Sequence, residues 1–414
     1  MTRDVSFIAL FLFLDWVISP ARAMDLPSFT PLNDLGTGLY LDQFQGGLYP
    51  GGENRMPTPH HAAGRAFANQ VRPRNTAGQL DSDGNYALLS IGMSNTTQEF
   101  CSGNSVTGCA SYSFVGQAAA HPDVNKNSLV IVNGAKGGKS AAFWDSPNDA
   151  EYDRVRDQVL MPMGLSELQV AAAWVKVANP RPENSLPEPT ADAYLLVEQI
   201  GNIVRSLKDR YPHILQVYLS SRIYAGYSTT TLNPEPYAYE SGLAVKWLIE
   251  AQINQMAGGT VDPLAGDLNY LNGTAPWLSW GPYLWADGLN PRSDGLIWEP
   301  SDFNSDGTHP SIAGREKVGS ELLKFFLSDP HSQPWFLSDS AGDFDSDGDV
   351  DGRDFLVWQR GGSPTPLSGT ELTVWQANYG ASTTASANAI PELGSDILLL
   401  LIGFVLSSTR LIRH

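Results

Sequence analysis

Between residues 80 and 330, apolar positions fall into short runs separated by longer stretches of helical spacing. The runs at 86–91, 128–132, 168–175 and 214–219 are too short for free-standing helices and rich in branched aliphatic residues, so they predict strands. Between the last two, Leu195, Val197, Ile200, Ile203, Val204 and Leu207 recur close to the helical period and predict a helix over 191–211. Similar patterns predict helices over 239–256 and 312–327. Strands alternating with helices imply a three-layer α/β domain, a central parallel sheet with helices on both faces. Ligands of such sheets bind beyond the carboxyl ends of the strands. Ser94, Gly134 and Asn179 each follow a predicted strand closely, so a single rim can gather all three.

Outside this region the pattern changes. Residues 24–79 are rich in Gly, Pro and aromatics, as in Gly46-Gly47-Leu48-Tyr49-Pro50-Gly51-Gly52, and predict an irregular lead-in packed on the domain. His60-His61 reads there as a surface loop, and His121 and His213 read as structural. Trp277, Trp280, Trp285 and Trp298 crowd a later stretch, as buried core or as a platform for sugar rings. Arg222, at the end of the fourth run, is a contact for an anionic or sugar-like substrate or a member of a structural ion pair.

The chain has 414 residues, more than one core normally serves, and its 42% apolar content is that of a globular protein. Acids outnumber bases 44 to 26, for a net charge of −18, which disfavours nucleic acid as a partner because phosphate binding needs a basic face. At the N-terminus, Arg3, the apolar stretch 7–14 and Ala21-Arg22-Ala23 have the form of a signal peptide, 1–23, cleaved after Ala23. Export makes a disulfide between the only two cysteines, Cys101 and Cys109, the expected pairing.

Candidate chemistry lies in two blocks far apart in sequence. Ile91-Gly92-Met93-Ser94-Asn95 sets a serine just after a strand, and Asp306-Gly307-Thr308-His309-Pro310 sets an acid three residues before a histidine. A serine hydroxyl becomes a nucleophile when an imidazole takes its proton, and the imidazole needs a carboxylate to fix its tautomer. With these blocks, the chain over 86–327 resembles the SGNH, or GDSL-like, hydrolases. The resemblance implies a flavodoxin-like three-layer sandwich, with Ser94 as nucleophile, His309 as base and Asp306 as orienting acid. It also implies an oxyanion hole from Ser94, Gly134 (in Val132-Asn133-Gly134) and Asn179. The first block reads Gly-Met-Ser where the family has Gly-Asp-Ser, and the third lacks the usual Gly-x-Asn-Asp. The activity implied is hydrolysis of an ester, such as an acetyl group on a polysaccharide, with no cofactor. The alternatives are a lipase or acyltransferase of the same fold and a non-catalytic glycan-binding surface adhesin.

Two further segments follow the predicted 80–330 domain. Asp343, Asp345, Asp347, Asp349, Asp351 and Asp354 occupy positions 1, 3, 5, 7, 9 and 12 of a loop with glycine at 6, the spacing that brings oxygens around a calcium ion. This resembles the calcium loop of a type I dockerin, which implies a small α-helical, EF-hand-like module over 331–381 with structural Ca2+ and a docking partner. Phe355-Leu356-Val357-Trp358-Gln359 is echoed by Leu372-Thr373-Val374-Trp375-Gln376, without a second acidic loop. After a small-residue linker, Ile390-Pro391-Glu392, the apolar stretch 397–406, Arg410 and Arg413 resemble a PEP-CTERM sorting tail over 382–414. This implies an exported, surface-associated or membrane-anchored protein.

Overall fold

The computed structural model describes residues 29–338, 342–345, 349–363 and 365–380. The proposed signal peptide and sorting tail lie outside the described residues. Two short strands, β1 (Leu39–Tyr40) and β2 (Phe44–Gln45), pair antiparallel ahead of the main sheet. That sheet contains β3 (Tyr86–Gly92), β4 (Leu129–Asn133), β5 (Val170–Lys176), β6 (Gln216–Leu219) and β7 (Trp277–Trp280). All are parallel, in the order β4-β3-β5-β6-β7. Counted within the sheet this is the 2-1-3-4-5 winding of flavodoxin-like folds, whose strand order reverses between β3 and β5.

Alternate strand residues serve two cores because successive side chains point to opposite faces. Leu89, Ile91, Ala173, Val175, Val217, Leu219 and Leu278 pack with α6 (Asp192–Arg210) and α7 (Tyr237–Met256). Leu88, Ala172, Trp174, Tyr218 and Trp277 face the other way, against Phe114 of α4 (Phe114–Ala120) and Val318, Leu322 and Phe326 of α8 (Ile312–Ser328). The α6 stripe buries Val197, Ile200, Ile203, Val204 and Leu207 as its period predicts, while Leu195 is exposed.

Two expectations are corrected, and for the tryptophans the buried-core alternative holds. The lead-in is not wholly irregular. Besides α1 (Leu32–Leu35) and the β1–β2 pair, it contains α2 (Thr58–Ala68), where Pro59 sits in the first turn and needs no N–H bond. Frequent alanines then carry the helix through flanks of Gly and Pro. His60 is accordingly buried, its Nε2 2.8 Å from the Leu278 carbonyl oxygen, and is not on a surface loop. The tryptophans do not form a sugar platform. Trp277, Trp285 and Trp298 are fully buried and Trp280 nearly so, with Trp277 and Trp280 bounding the strand β7. Their indole N–H groups donate inward, to the carbonyls of His60, Leu48 and Leu284 and to Glu235 Oε1.

Candidate active site

β3 ends at Gly92, where a Cβ would fall 2.2 Å from the Lys176 carbonyl oxygen, so only glycine lets the chain pass this close to β5. Two residues later Ser94 opens α3 (Ser94–Phe100) at the carboxyl edge of the sheet, beside the reversal of strand order. On α3, Glu99 Oε2 lies 2.5 Å from Lys176 Nζ at the end of β5, and both side chains are fully buried. Burial pushes the Glu99 carboxyl up and the Lys176 amine down to about 8, favouring the neutral forms, while their mutual attraction opposes both shifts. Thr96 Oγ1 donates to the Lys176 carbonyl and accepts from the Met93 N–H, which fixes the turn before Ser94.

The second block lies in the loop between Phe303 and α8. His309 Nδ1 stands 2.6 Å from Asp306 Oδ2, and His309 Nε2 stands 2.9 Å from Ser94 Oγ. A carboxylate at Nδ1 holds the proton there and leaves Nε2 to accept from the serine. Asp306 Oδ1 accepts the backbone N–H groups of Thr308 and His309, each at 3.0 Å. Burial opposes ionisation of Asp306, but these backbone N–H groups and the imidazole outweigh it and hold the carboxyl below its usual range.

Neighbouring elements fix the loop. Asn95, buried next to Ser94, donates from Nδ2 to the Thr308 carbonyl at 3.1 Å and ties the serine block to the histidine block. Thr308 Oγ1 lies 2.6 Å from Ser228 Oγ and 2.7 Å from Thr230 Oγ1, and the Thr229 N–H donates to the Asp306 carbonyl. Gly307 has φ +62°, and a Cβ on it would lie 1.8 Å from the Tyr227 carbonyl oxygen. Beyond α3, Cys101 and Cys109 form a disulfide, and Arg315 of α8 donates to Ser102 Oγ.

Ser94 and His309 open into a cavity of about 200 Å³, also lined by Met93, Gly138, Asn179, Arg222 and Asn233. Gly134 is not among the lining residues, which corrects its expected place. β4 is an edge strand, and Gly134 packs against the Ser90 carbonyl while its own carbonyl accepts from Arg154. The chain then folds back, with the Lys136 N–H bonded to the Gly92 carbonyl. A turn from Lys136 to Lys139 brings Gly137 within 3.8 Å of Ser94 Cβ, measured from where its own Cβ would be. Asn179 does line the cavity, but its amide is committed elsewhere, a second correction. Its Nδ2 donates to Asp192 Oδ1 at 3.1 Å and to Gln199 Oε1 at 2.8 Å, which uses both N–H groups within α6. Sequence reasoning missed Gly137-Gly138, whose signal was the pair of glycines between two lysines.

Hydroxyl, imidazole and carboxylate in series can move a proton from Ser94 as its oxygen attacks an electrophile. The fold and site thus define an α/β protein of doubly wound type with a serine–histidine–aspartate array at its switch point. No protein-family model and no curated protein matches the chain. Among solved structures it is similar to a salicylyl-acyltransferase, SsfX3, from a tetracycline biosynthetic pathway (14% identity, TM-score 0.31, covering 60% of this chain and 55% of that one). It is also similar to an extracellular lipase from Streptomyces rimosus (14%, TM-score 0.28, covering 58% and 98%). A third is a protein from Slackia heliotrinireducens proposed to be an SGNH hydrolase (15%, TM-score 0.28, covering 58% and 99%). The chain spans only about half the length of the acyltransferase.

In the C-terminal segment, α10 (Gly352–Gln359) and α11 (Gly369–Asn378) carry the two echoed sequences and pack through Phe355 and Trp375, 5.1 Å between ring centroids. At the start of α10, carboxylate oxygens of Asp343, Asp345 and Asp354 lie within 4.8 Å of one another, as do those of Asp349, Asp351 and Asp354. Asp354, common to both, is fully buried and accepts the N–H groups of Phe344, Asp345 and Asp351. Asp347 lies outside the described residues. Among the described residues no helix is long and apolar enough to cross a membrane.

Proposed function

We propose that this chain is an exported serine esterase of the SGNH type, acting on an ester such as a carbohydrate O-acetyl group. The observation that carries this reading is the unbroken series Ser94 Oγ, His309 Nε2, His309 Nδ1 and Asp306 Oδ2, with spacings of 2.9 and 2.6 Å, opening into a cavity. In this cycle Ser94 Oγ attacks the ester carbonyl while its proton passes to His309 Nε2. The backbone N–H of Ser94 and the Gly137–Gly138 turn stabilise the oxyanion. The alcohol leaves with the proton from His309. A water, deprotonated by the same imidazole, then attacks the acyl-enzyme and frees the acid and Ser94. Each oxyanion donor in such a site contributes about 3 kcal/mol to the transition state.

Fluorophosphonate labelling tests the reading. Wild type is labelled and Ser94→Ala is not, and Ser94→Ala hydrolyses short aryl esters and acetylated polysaccharides at least about a thousandfold more slowly. A folded wild type that is neither labelled nor active on any ester favours the glycan-binding adhesin. Product partitioning with added alcohol acceptors separates hydrolysis from acyl transfer.

For the C-terminal helix pair we propose a structural calcium ion held by Asp343, Asp345, Asp347, Asp349, Asp351 and Asp354. It would neutralise the clustered carboxylates and have no part in the ester chemistry. A docking role for this module, and surface retention through the C-terminal tail, complete the proposal.

A further inference from the structure

The cavity beside Ser94 carries one charged side chain whose needs the described residues do not meet. Arg222 is 1% exposed and lines the cavity together with Ser94 and His309. Its Nε and Nη2 have no hydrogen-bond partner among the described residues. No carboxylate of those residues comes within the 4.0 Å of an ion pair. Glu99, Glu235 and Asp306 attract it from farther away, and each also bonds to other groups. Glu99 is paired with Lys176 through Oε2, while its buried Oε1 has no hydrogen-bond partner among the described residues; Glu235 accepts from Trp285, Ala225 and Tyr239, and Asp306 holds His309.

Every other lining residue except His309 is uncharged, so the only fixed charge at the wall is positive, in a chain whose net charge is −18. Asn233, also on the wall and buried, adds an Oδ1 that accepts no hydrogen bond among the described residues. A buried guanidinium keeps its charge when an anion and hydrogen-bond acceptors replace the water it has lost. An unpaired carbonyl oxygen at the same wall asks for a donor such as a hydroxyl.

We infer that Arg222 makes this cavity selective for an ester substrate carrying a carboxylate, with Asn233 receiving a neighbouring hydroxyl. This rests on the esterase reading and narrows it to acidic substrates. The carboxylate can belong to the acyl half, as in a dicarboxylic half-ester, or to the alcohol half, as in an acetylated uronic acid. Hydroxyls beside the carboxylate favour the second source.

Matched pairs of esters test it: 4-nitrophenyl acetate against 4-nitrophenyl hemisuccinate, and O-acetyl galactoside against O-acetyl galacturonate. Wild type prefers the carboxylate member of one pair by about tenfold or more in kcat/KM, the size of one charge-assisted hydrogen bond, and the pair that responds identifies the half. Arg222→Met collapses that ratio to about one, and Arg222→Lys restores part of it. A wild type indifferent to the carboxylate in both pairs overturns the inference. So does an Arg222→Met enzyme that loses both members of the responding pair equally, because that is the mark of a structural cation.

Should Arg222→Met fail to fold, inhibition of wild type by succinate and galacturonate is compared with inhibition by their neutral amides, and equal potency also overturns it. The same carboxylates and amides, tested by thermal shift on wild type and on Ser94→Ala, report binding apart from turnover. Carboxylate-specific stabilisation of a protein that hydrolyses no ester sinks the esterase reading but sustains the anion site. Hydrolysis without carboxylate selectivity does the reverse.

Discussion

His309 is held at both ring nitrogens, and much of the surrounding structure serves to keep it there. Gly307 is the tightest point, since a methyl group would strike the Tyr227 carbonyl at 1.8 Å and φ is already +62°. Gly307→Ala should therefore displace the Asp306–His309 turn. The expected outcome is a loss of about 1–3 kcal/mol in stability and about a hundredfold in kcat/KM, read by thermal unfolding and aryl-ester kinetics. Normal kinetics in the variant would show that the turn tolerates the shift. Asn95→Ala removes the bond to the Thr308 carbonyl and leaves that acceptor without its partner. Its expected cost is about 1–3 kcal/mol, together with a fall in kcat because the serine and histidine blocks are no longer tied. An unchanged kcat would place the restraint entirely in the Thr308 hydroxyl contacts.

Helix α3 joins the sheet through one buried ion pair, Glu99 with Lys176, a helical turn and a half beyond Ser94. Removing one partner leaves the other charge buried and alone. Lys176→Met should cost about 3–5 kcal/mol, whereas Glu99→Leu combined with Lys176→Met should recover most of the loss. Urea unfolding of the single and double variants measures both, and additive losses would deny the coupling. At the other end of the chain, α10 and α11 form a helix pair whose loop concentrates acidic oxygens around Asp354. Chelation of the proposed calcium ion should loosen this pair, seen in the fluorescence of Trp358 and Trp375 against variants lacking them, and leave ester turnover intact. A loss of turnover on chelation in a still-folded central domain would contradict a purely local role for the ion.

At the scale of the whole molecule, a buried acid contributes to the response to pH. Burial pushes the Glu240 carboxyl up to about 7, against bonds from the Leu186 N–H and the Tyr40 hydroxyl that favour the charged form. Between its ordinary pKa of 4.5 and about 7 the folded protein keeps a proton that the unfolded chain has released. Stability from this group is thus full below that window, falls as pH rises through it, and is flat above. Glu240→Gln should flatten the decline in Tm between pH 5 and 8. A slope identical to wild type would assign the pH response to other groups.

Much of this architecture was legible beforehand because strand and helix periods are local properties. The runs at 86–91 and 128–132 became β3 and β4 within a residue, and the stripe on α6 faced the core as spaced. β7 and α2 were obscured, one by tryptophans that look alike in a strand and on a binding face, the other by Gly and Pro at its flanks. The sequence alone determined the alternation of strands and helices and supplied a serine, a histidine and an aspartate at chain positions that follow elements or share a turn. Tertiary structure alone decided that Ser94 and His309, 215 residues apart, meet at 2.9 Å. It also set the Gly137–Gly138 turn, and not Gly134, beside Ser94, drew the amide of Asn179 away toward α6, and left Nε and Nη2 of the buried Arg222 without a hydrogen-bond partner among the described residues. Such contacts depend on where loops return after leaving the sheet, which is fixed by packing across the whole fold and not by neighbours in the chain.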